Sequence, residues 1–452
     1  MTNPITSLNE TTEETVSAVL AQELHGEIAY SPELGWMEWG GQKWRQDPEG
    51  LLTHRAIANR IAQYVTETTV QNLPAPQQSR LMRLRNNAKQ KVIQERLRAL
   101  LLVPVDEWDA YPHLLNCPNG TLDLNLGILS PHDPADYLTR ITGADYIPGA
   151  THDDWWQALE AMPQEQPREW MQGHLGSGAW GLQRSDRLAL FTGTGANGKS
   201  TIVGGVLGAL GDYAATADRS VIVGKGHGEY KAELRGLRLA VIEELDDGHK
   251  LNTAEVKSLL GTRSIKARHL YKAAMEFPAQ FTLVITTNYR PQVPETDAGT
   301  WRRLARLDFS ERFTDDTADQ GLRGRVAEGR RQREAVLAWL VEGALAPLPR
   351  TTPGMELALE NWQLEVDSIA EYINEHVTTQ EEGWTTRKEI YENFCAFLDE
   401  RGQNRWTMRT FHSRWTSHQT VENWLKDGTV EESKRMGLRG WKGLVIHRSP
   451  GF

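Results

Sequence analysis

Apolar residues gather in short bursts along this chain, and the spacing within the bursts changes from one region to the next. From Thr15 to Leu24, from Leu51 to Val70 and from Gln77 to Val103 they recur at helical spacing. Between the first two stretches, Trp36, Trp39 and Trp44 alternate with polar residues around Gly40-Gly41, which predicts a β-hairpin. The three indoles either pack that hairpin or offer bases a stacking platform, and packing is the simpler account. Residues 114–140 fall into short apolar pieces separated by Asn-Gly, Leu-Gly and His-Asp-Pro turns, a small β unit. Residues 153–183 read as a Trp-rich helical lead-in. From Leu188 to Phe309 strand-length apolar runs alternate with helices, the mark of an α/β core built on a parallel sheet. Helices resume at Ser368; one is expected to start within Trp384–Tyr391 and a second to run from Thr407 through Trp415. Residues 439–446 close the pattern as a strand-like wing.

Tyr146 to Ala150 and the run of Pro347, Pro349, Pro353 and Gly354 read as linkers, and 452 residues suit about three domains. The expected division is an α+β N-terminal domain over 1–150, the α/β core over 151–350 and a DNA-binding module over 351–452. Residues 1 to about 15 are polar and expected to be disordered. They have neither a basic nor an apolar signal-peptide region, and no run of 18 apolar residues offers a membrane helix. Cys117 and Cys395 stand alone, which fits a reducing cytoplasm better than a disulfide framework or a zinc cluster. Most of the sixteen tryptophans are expected in the core.

Charge changes this picture locally. A net charge of −10 excludes a chain that is basic throughout, but Arg80, Arg83, Arg85, Lys89, Lys91, Arg96 and Arg98 face one acid, Glu95, between Pro76 and Leu100. That run is either a solvated helix face or a surface that follows a nucleic-acid backbone. Residues 401–452 hold ten Lys/Arg against four Asp/Glu.

The most specific chemistry comes directly after the apolar run Leu188–Phe191. Gly193, Thr194, Gly195, Ala196, Asn197, Gly198, Lys199 and Ser200, with Thr201 next, satisfy the phosphate-binding pattern G-x-x-x-x-G-K-[ST]. Glycines let backbone N–H groups turn inward around phosphate oxygens, and the helix after them adds its positive end. Lys199 would meet the β- and γ-phosphates of ATP, and the Ser200 hydroxyl would ligate Mg²⁺. Downstream, the strand-like run Gly236–Ile242 ends in Glu243-Glu244. One of these carboxylates would serve Mg²⁺, for which Glu243 is the candidate, and the other would polarise the attacking water. A second apolar strand, Phe281–Thr287, ends in Asn288, whose amide can orient that water. Beyond it Trp301-Arg302-Arg303 supplies two candidates for an arginine that reaches a neighbouring subunit's γ-phosphate. Between the two strands lie Lys266, Arg268, His269 and Lys272 around Tyr271, basic and aromatic residues suited to a hairpin that grips a DNA strand.

This order of segments (GTGANGKST, RLAVIEELDDG, IKARHLYKAAMEF, LVITTNYRP, TDAGTWRRLARLDF) resembles the superfamily 3 helicases of the phage, plasmid and poxvirus primase-helicase branch. The segment LLNCPNGTLDLNLGILSPHDPADYLTR resembles the region before the ATPase in that branch, and AWLVEGALA its closing helix. The resemblance implies an AAA+ P-loop core in a ring, usually hexameric, that moves on single-stranded DNA with ATP and Mg²⁺ bound between subunits. By position it assigns the phosphate loop to Gly193–Thr201, the acidic strand end to Glu243 and Glu244, the polar sensor to Asn288, the finger to Arg302 or Arg303, and the DNA hairpin to Lys266, Arg268, His269 and Lys272. Glu243 departs from the small residue the branch often has there, so Glu244 is the better base. The C-terminal helices, with Arg409, His412 and Arg414, and the wing, with Arg439, Trp441 and Lys442, resemble a winged helix for double-stranded DNA.

The function expected is therefore that of an ATP-dependent DNA helicase of a phage, plasmid or integrated element, in the cytoplasm of a bacterial host. It would be a homo-oligomer working beside a separate primase or polymerase, and no primer synthesis is expected of this chain. An origin-binding initiator and an ATP-dependent defence or regulatory assembly are the alternatives.

Overall fold

The computed structural model describes residues 12–66, 73–223, 228–245, 249–268, 274–293, 298–314, 318–403 and 405–447. Most of the tail expected to be disordered, the end of the helix expected to reach Val70, and His269 to Lys272 lie outside these residues.

The first unit opens with α1 (Glu13–Glu23) and the antiparallel strands β1 (Ile28–Ser31), β2 (Gly35–Trp39) and β3 (Trp44–Asp47), in which Trp39 faces Trp44. Trp36 and Trp44 are buried, so packing of the hairpin accounts for them. The Asp47 carboxylate accepts from the backbone N–H groups of Leu51 (3.0 Å) and Thr53 (2.9 Å), which sets the start of α2 (Leu51–Thr66). The single helix expected over 77–103 is two, α3 (Ala75–Leu84) and α4 (Asn87–Leu100). The break comes from Asn86, whose side chain accepts from the Ala88 N–H at 2.8 Å and caps the second helix. Leu81, Leu84, Ile93 and Leu97 turn inward onto Val16, Leu20, Ile57 and Ile61, which leaves the arginines and lysines of both helices outside.

Next come β4 (Leu114–Cys117), β5 (Gly120–Asp123) and β6 (Ile128–Ser130), paired antiparallel as the turns predicted. These strands have no separate core of their own. Leu115, Cys117, Leu122 and Tyr146 share one hydrophobic core with Trp155, Phe191 and Val206. Asn119 also exchanges two hydrogen bonds with the Tyr146 backbone, at 2.9 and 3.0 Å. The apolar packing is therefore continuous across the linker expected at 146–150.

After α5 (Asp153–Leu159) and α6 (Glu165–Gly176) the chain enters a parallel sheet. Its strands are β7 (Leu188–Thr192), β8 (Ala214–Thr216), β9 (Leu239–Glu243), β12 (Thr282–Thr287) and β13 (Leu304–Asp308), laid side by side as β13-β7-β12-β9-β8. A separate antiparallel hairpin, β10 (Ser264–Arg268) with β11 (Ala274–Pro278), is inserted between β9 and β12. Alternate residues of the sheet enter opposite cores. Ala189, Phe191, Val241 and Val284 meet one core, and Leu188, Leu190, Ile242 and Ile285 meet the other. The first is covered by α5, α6, α7 (Lys199–Leu210), α11 (Leu322–Glu328) and α12 (Arg330–Leu345). The second is covered by α9 (Thr253–Gly261), with α8 (Gly228–Ala232) and α10 (Ala298–Trp301) beside it, and by α13 (Pro353–Val366), where Trp362 meets Trp301 edge to face at 5.1 Å. A sheet buried on both faces explains why its strands read as continuous apolar runs.

The last unit has its own core around Phe394, Phe411, Trp415 and Trp441. It comprises α14 (Ser368–His376), β14 (Val377–Thr386), α15 (Arg387–Glu400), α16 (Met408–Thr416), α17 (Gln419–Asp427), β15 (Glu431–Arg435) and β16 (Leu438–Ile446). Two expectations are corrected here. Trp384 to Thr386 belong to a strand, and the helix starts only at Arg387, where Thr386 and Glu389 form a reciprocal capping box. Trp441 is buried in the core and is not displayed on the wing.

His174, on α6, is enclosed under the sheet, stacked on Trp170 at 4.7 Å and hydrogen-bonded to the Leu283 carbonyl of β12 at 3.4 Å. Burial disfavours its cation and pushes its pKa down to about 4. An unfolded chain has an ordinary imidazole, near 6.5, so the unfolded state takes up the proton first as pH falls. Stability is then complete above about 6.5 and falls by about 3 kcal/mol as pH drops through 4. Urea unfolding across this range should show the loss, and His174→Gln should flatten that part of the profile; an unchanged profile would remove His174 as its source.

Candidate nucleotide site

Parallel order places the C-terminal ends of β7, β12 and β9 next to one another. Thr192 pairs with Thr287, and Thr286 pairs with Glu243. Ligands settle outside such strand ends. Here a cavity of about 310 Å³ is lined by Gly195, Ala196, Asn197, Gly198, Lys199, Ser200 and Thr201 together with Glu244, Thr286, Thr287 and Asn288. The sequence motif thus folds as a loop between β7 and α7, with α7 beginning at Lys199. Gly195 and Gly198 take φ of +99° and +79°, where a side chain is strained.

Lys199 is buried, and its amine donates to the Gly193 carbonyl (3.0 Å), to Asn197 Oδ1 (2.9 Å) and to Asn288 Oδ1 (3.2 Å). Burial lowers its pKa below the ordinary lysine value. Two residues expected at the site from separate motifs are therefore in direct contact. Of the two acids, Glu244 lines the cavity, and Glu243, the Mg²⁺ candidate, is not among its lining residues. The selection is made by backbone. Glu244 leaves the strand at φ +55° and its N–H donates to the Thr286 carbonyl at 3.0 Å, which turns it toward the loop. Ser200 and Glu244 lie on one cavity, a donor set of one hydroxyl and one carboxylate that suits Mg²⁺ shared with phosphate oxygens.

Gly193 and Thr194 precede the lining residues. A Cβ at Gly193 would lie 2.8 Å from the Phe309 carbonyl, so the loop's first turn admits no side chain. Supports not foreseen from the sequence lie below it. The Phe309 N–H donates to the Thr192 carbonyl (2.8 Å) and the Phe313 N–H to the Ala196 carbonyl (2.8 Å). Thr192 Oγ1 is hydrogen-bonded to Asp308, which is also held by Arg306 Nε at 2.8 Å. The signal available was the alternation of charge within β13, ARLD, where a buried strand should be apolar.

The two arginines after Trp301 separate. Arg303 is half-buried and donates to the Gly299 carbonyl at 2.7 Å, whereas Arg302 is exposed with no partner among the described residues. On β10, Lys266 and Arg268 are exposed and alternate with buried Ile265 and Ala267; His269 and Lys272 lie outside the described residues. On α16, Arg409 is exposed, but the Arg414 guanidinium lies 4.7 Å above the Trp406 ring, and both His412 ring nitrogens are buried without a partner among the described residues. Arg439 and Lys442 are exposed on β16.

Residues 17–164 match the family described as D5 N terminal like, and residues 191–303 match a family of unknown function, DUF5906. The "Putative helicase L207/L206" of Acanthamoeba polyphaga mimivirus is 28% identical over 215 residues, which cover 45% of this chain and 22% of that protein. The "Putative primase C962R" of African swine fever virus (isolate Warthog/Namibia/Wart80/1980) is 24% identical over 295 residues, 58% of this chain and 31% of that one. These matches support a relationship to the D5-like primase-helicases, of the superfamily 3 helicase type. The "Putative helicase 022R" of Frog virus 3 is 31% identical over 138 residues, 28% of this chain and 14% of the relative. The chain thus spans less than a third of these relatives' lengths. Among the described residues no helix is long and apolar enough to cross a membrane.

Gly198 is a second position of this loop that tolerates no side chain. Its φ is +79°, and a Cβ there would lie 2.5 Å from the Ala161 Cβ. Gly198→Ala should cost at least about 1 kcal/mol from the backbone alone and weaken nucleotide binding. Denaturant unfolding and calorimetric titration with an ATP analogue check both, and unchanged values would refute this loop packing.

Proposed function

We propose that this chain is an ATP-hydrolysing DNA helicase that acts in replication and works as an AAA+ ring of like subunits on single-stranded DNA. The observation that supports it most is the single cavity shared by the Gly195–Thr201 loop, Glu244 and Asn288. In this reading the loop amides and Lys199 bind the β- and γ-phosphates, and Ser200 would hold Mg²⁺, which neutralises phosphate charge. Glu243 at the end of β9 would act on Mg²⁺ through water. Asn288 positions a water molecule in line with the γ-phosphorus. The water oxygen bonds to phosphorus, the bond from phosphorus to the bridging oxygen breaks, and the water's proton passes to the Glu244 carboxylate. Arg302 suits the finger offered to a neighbouring subunit, since Arg303 is occupied within its own chain.

Lys266 and Arg268, on the exposed face of the β10–β11 hairpin, would grip DNA phosphates as hydrolysis moves the hairpin. The C-terminal unit would act as a winged helix on duplex DNA through Arg409, Arg439 and Lys442. A phage, plasmid or integrated element in a bacterial cytoplasm is the setting this reading retains. The initiator alternative draws on the same C-terminal unit and differs in expecting tight, sequence-specific duplex binding with weak unwinding.

ATPase and forked-DNA unwinding assays test this. Lys199→Ala should abolish turnover and unwinding, because no other cation among the described residues lines the cavity. Arg302→Ala should also be inactive alone, and mixing the two variants should restore part of the turnover at sites formed from one copy of each. Unwinding by Lys199→Ala at the natural rate would sink the motor reading.

A further inference from the structure

The β15–β16 hairpin ends in a two-residue turn, Met436-Gly437, since Arg435 pairs with Leu438. Both turn residues have positive φ, +48° and +83°, the conformation that closes tight hairpins. What this turn displays is unusual for a surface. Met436 is 95% exposed and Leu438 59% exposed, while the same hairpin's other end buries Trp441 and Leu444 in the core of the unit. Neither Met436 nor Leu438 contributes to that core, so the fold gives no reason for apolar side chains at the tip.

The charge around them is equally one-sided. Lys434, Arg435 and Arg439 are exposed, and no acid lies between Lys434 and Lys442. Lys434 stands directly opposite Arg439 across the two strands, an arrangement in which like charges repel. The acids at the hairpin's base are engaged there. Glu432 holds Arg387 at 2.9 Å, and Glu431 lies 3.9 Å from Lys442. The tip therefore combines cations without counter-charge among the described residues and apolar groups without cover. A partner that relieves both must be anionic outside and apolar within. The end of a base-paired duplex has this character, with phosphates on both strands flanking a stack of bases. Apolar side chains on basic elements enter base steps in this way.

We propose that Met436 and Leu438 form a wedge that enters the base stack where double-stranded DNA meets single strands, with Lys434, Arg435 and Arg439 holding the flanking phosphates. This rests on the DNA-helicase reading and adds to it the element that parts the strands. The wedge needs no hydrolysis, since inserting side chains into a stack is a binding step.

The full-length chain and a DNA fork carrying 2-aminopurine at the last base pair, without nucleotide, test it. Binding should raise the fluorescence as that base unstacks, for the natural chain and for Lys199→Ala alike. Met436→Ser combined with Leu438→Ser should lose the rise while retaining binding in an anisotropy titration; both side chains are exposed, so the fold is kept. Lys434→Ala with Arg435→Ala should instead weaken binding and lower its salt dependence. An undiminished rise in the Met436→Ser, Leu438→Ser variant overturns the wedge. So does capture of the natural chain by phosphatidylserine vesicles through Met436 with no rise on the fork. A rise without ATP-driven unwinding would leave the wedge standing and remove the motor reading, and unwinding with no rise would do the reverse.

Discussion

A buried ammonium must find oxygen, and Lys199, only 6% exposed, finds three oxygens but no negative charge among the described residues. The Gly193 carbonyl and the side-chain oxygens of Asn197 and Asn288 satisfy its protons. Neutral acceptors reduce the cost of desolvation without cancelling the charge. The residual cost appears as the lowered pKa of the amine. The rest of the site can be understood from this imbalance. A cation held without a counter-ion, beside a loop whose glycines permit inward amides, favours an anion over any neutral ligand. Asn288 gains a second meaning as well. It occupies the amine from across the sheet, so the amine has to share or exchange that bond with any anion that enters the cavity. The polar end of β12 and the cation of α7 are thereby linked before any ligand is present.

The loop can hold this geometry because it is tied from beneath. Arg306 and Asp308 reach Thr192 from β13, and the backbone at Phe309 and Phe313 fixes the loop on either side. Arg306 is also bonded to the Ala358 carbonyl of α13 at 2.9 Å. That helix seats Trp362 on Trp301, the residue before Arg302. One helix thus supports both the Gly193–Thr201 loop and the ground from which the exposed arginine projects. Its position is a condition of the site, although it contributes no residue to the cavity wall.

Much of this was legible in the sequence. The glycine-rich loop of 193–201 is a local pattern with a local cause, and the strands that carry it are buried on both faces, so their apolar runs are uninterrupted. Asn288 was found by its place at the end of such a run. What escaped depended on relations between distant residues or on a single backbone angle. Glu243 and Glu244 are identical as side chains, and only the left-handed turn at Glu244 puts one of them in the cavity. Arg302 and Arg303 separate only because the Gly299 carbonyl lies within reach of one. Trp441 reads as part of a basic wing because its neighbours in sequence are basic, yet its alternate position on β16 faces inward. Arg306 and Asp308 looked like interruptions of a strand and are its working parts.

The end of the α/β core shows how packing overrides sequence punctuation. Pro347, Pro349 and Pro353 suggest a linker, but the helix that begins at the last of them belongs to the sheet through Trp362. The change of core comes at Asp367. One of its carboxylate oxygens accepts from the N–H groups of Ile369 (3.0 Å) and Ala370 (3.1 Å) and starts α14. The other meets His418 Nε2 at 3.1 Å, while His418 Nδ1 accepts from the Thr420 N–H at 3.3 Å and starts α17. An Nδ1 that accepts leaves the proton on Nε2, so the imidazole donates to Asp367 without needing to be charged. A single buried carboxylate therefore fixes two helix starts 51 positions apart and defines where the C-terminal unit begins. The chain leaves the α/β core through α13, the helix that steadies the Gly193–Thr201 loop, and Asp367 caps the basic unit directly after that helix ends at Val366. The C-terminal unit is thus joined to the α/β core through the same element on which the Gly193–Thr201 loop leans.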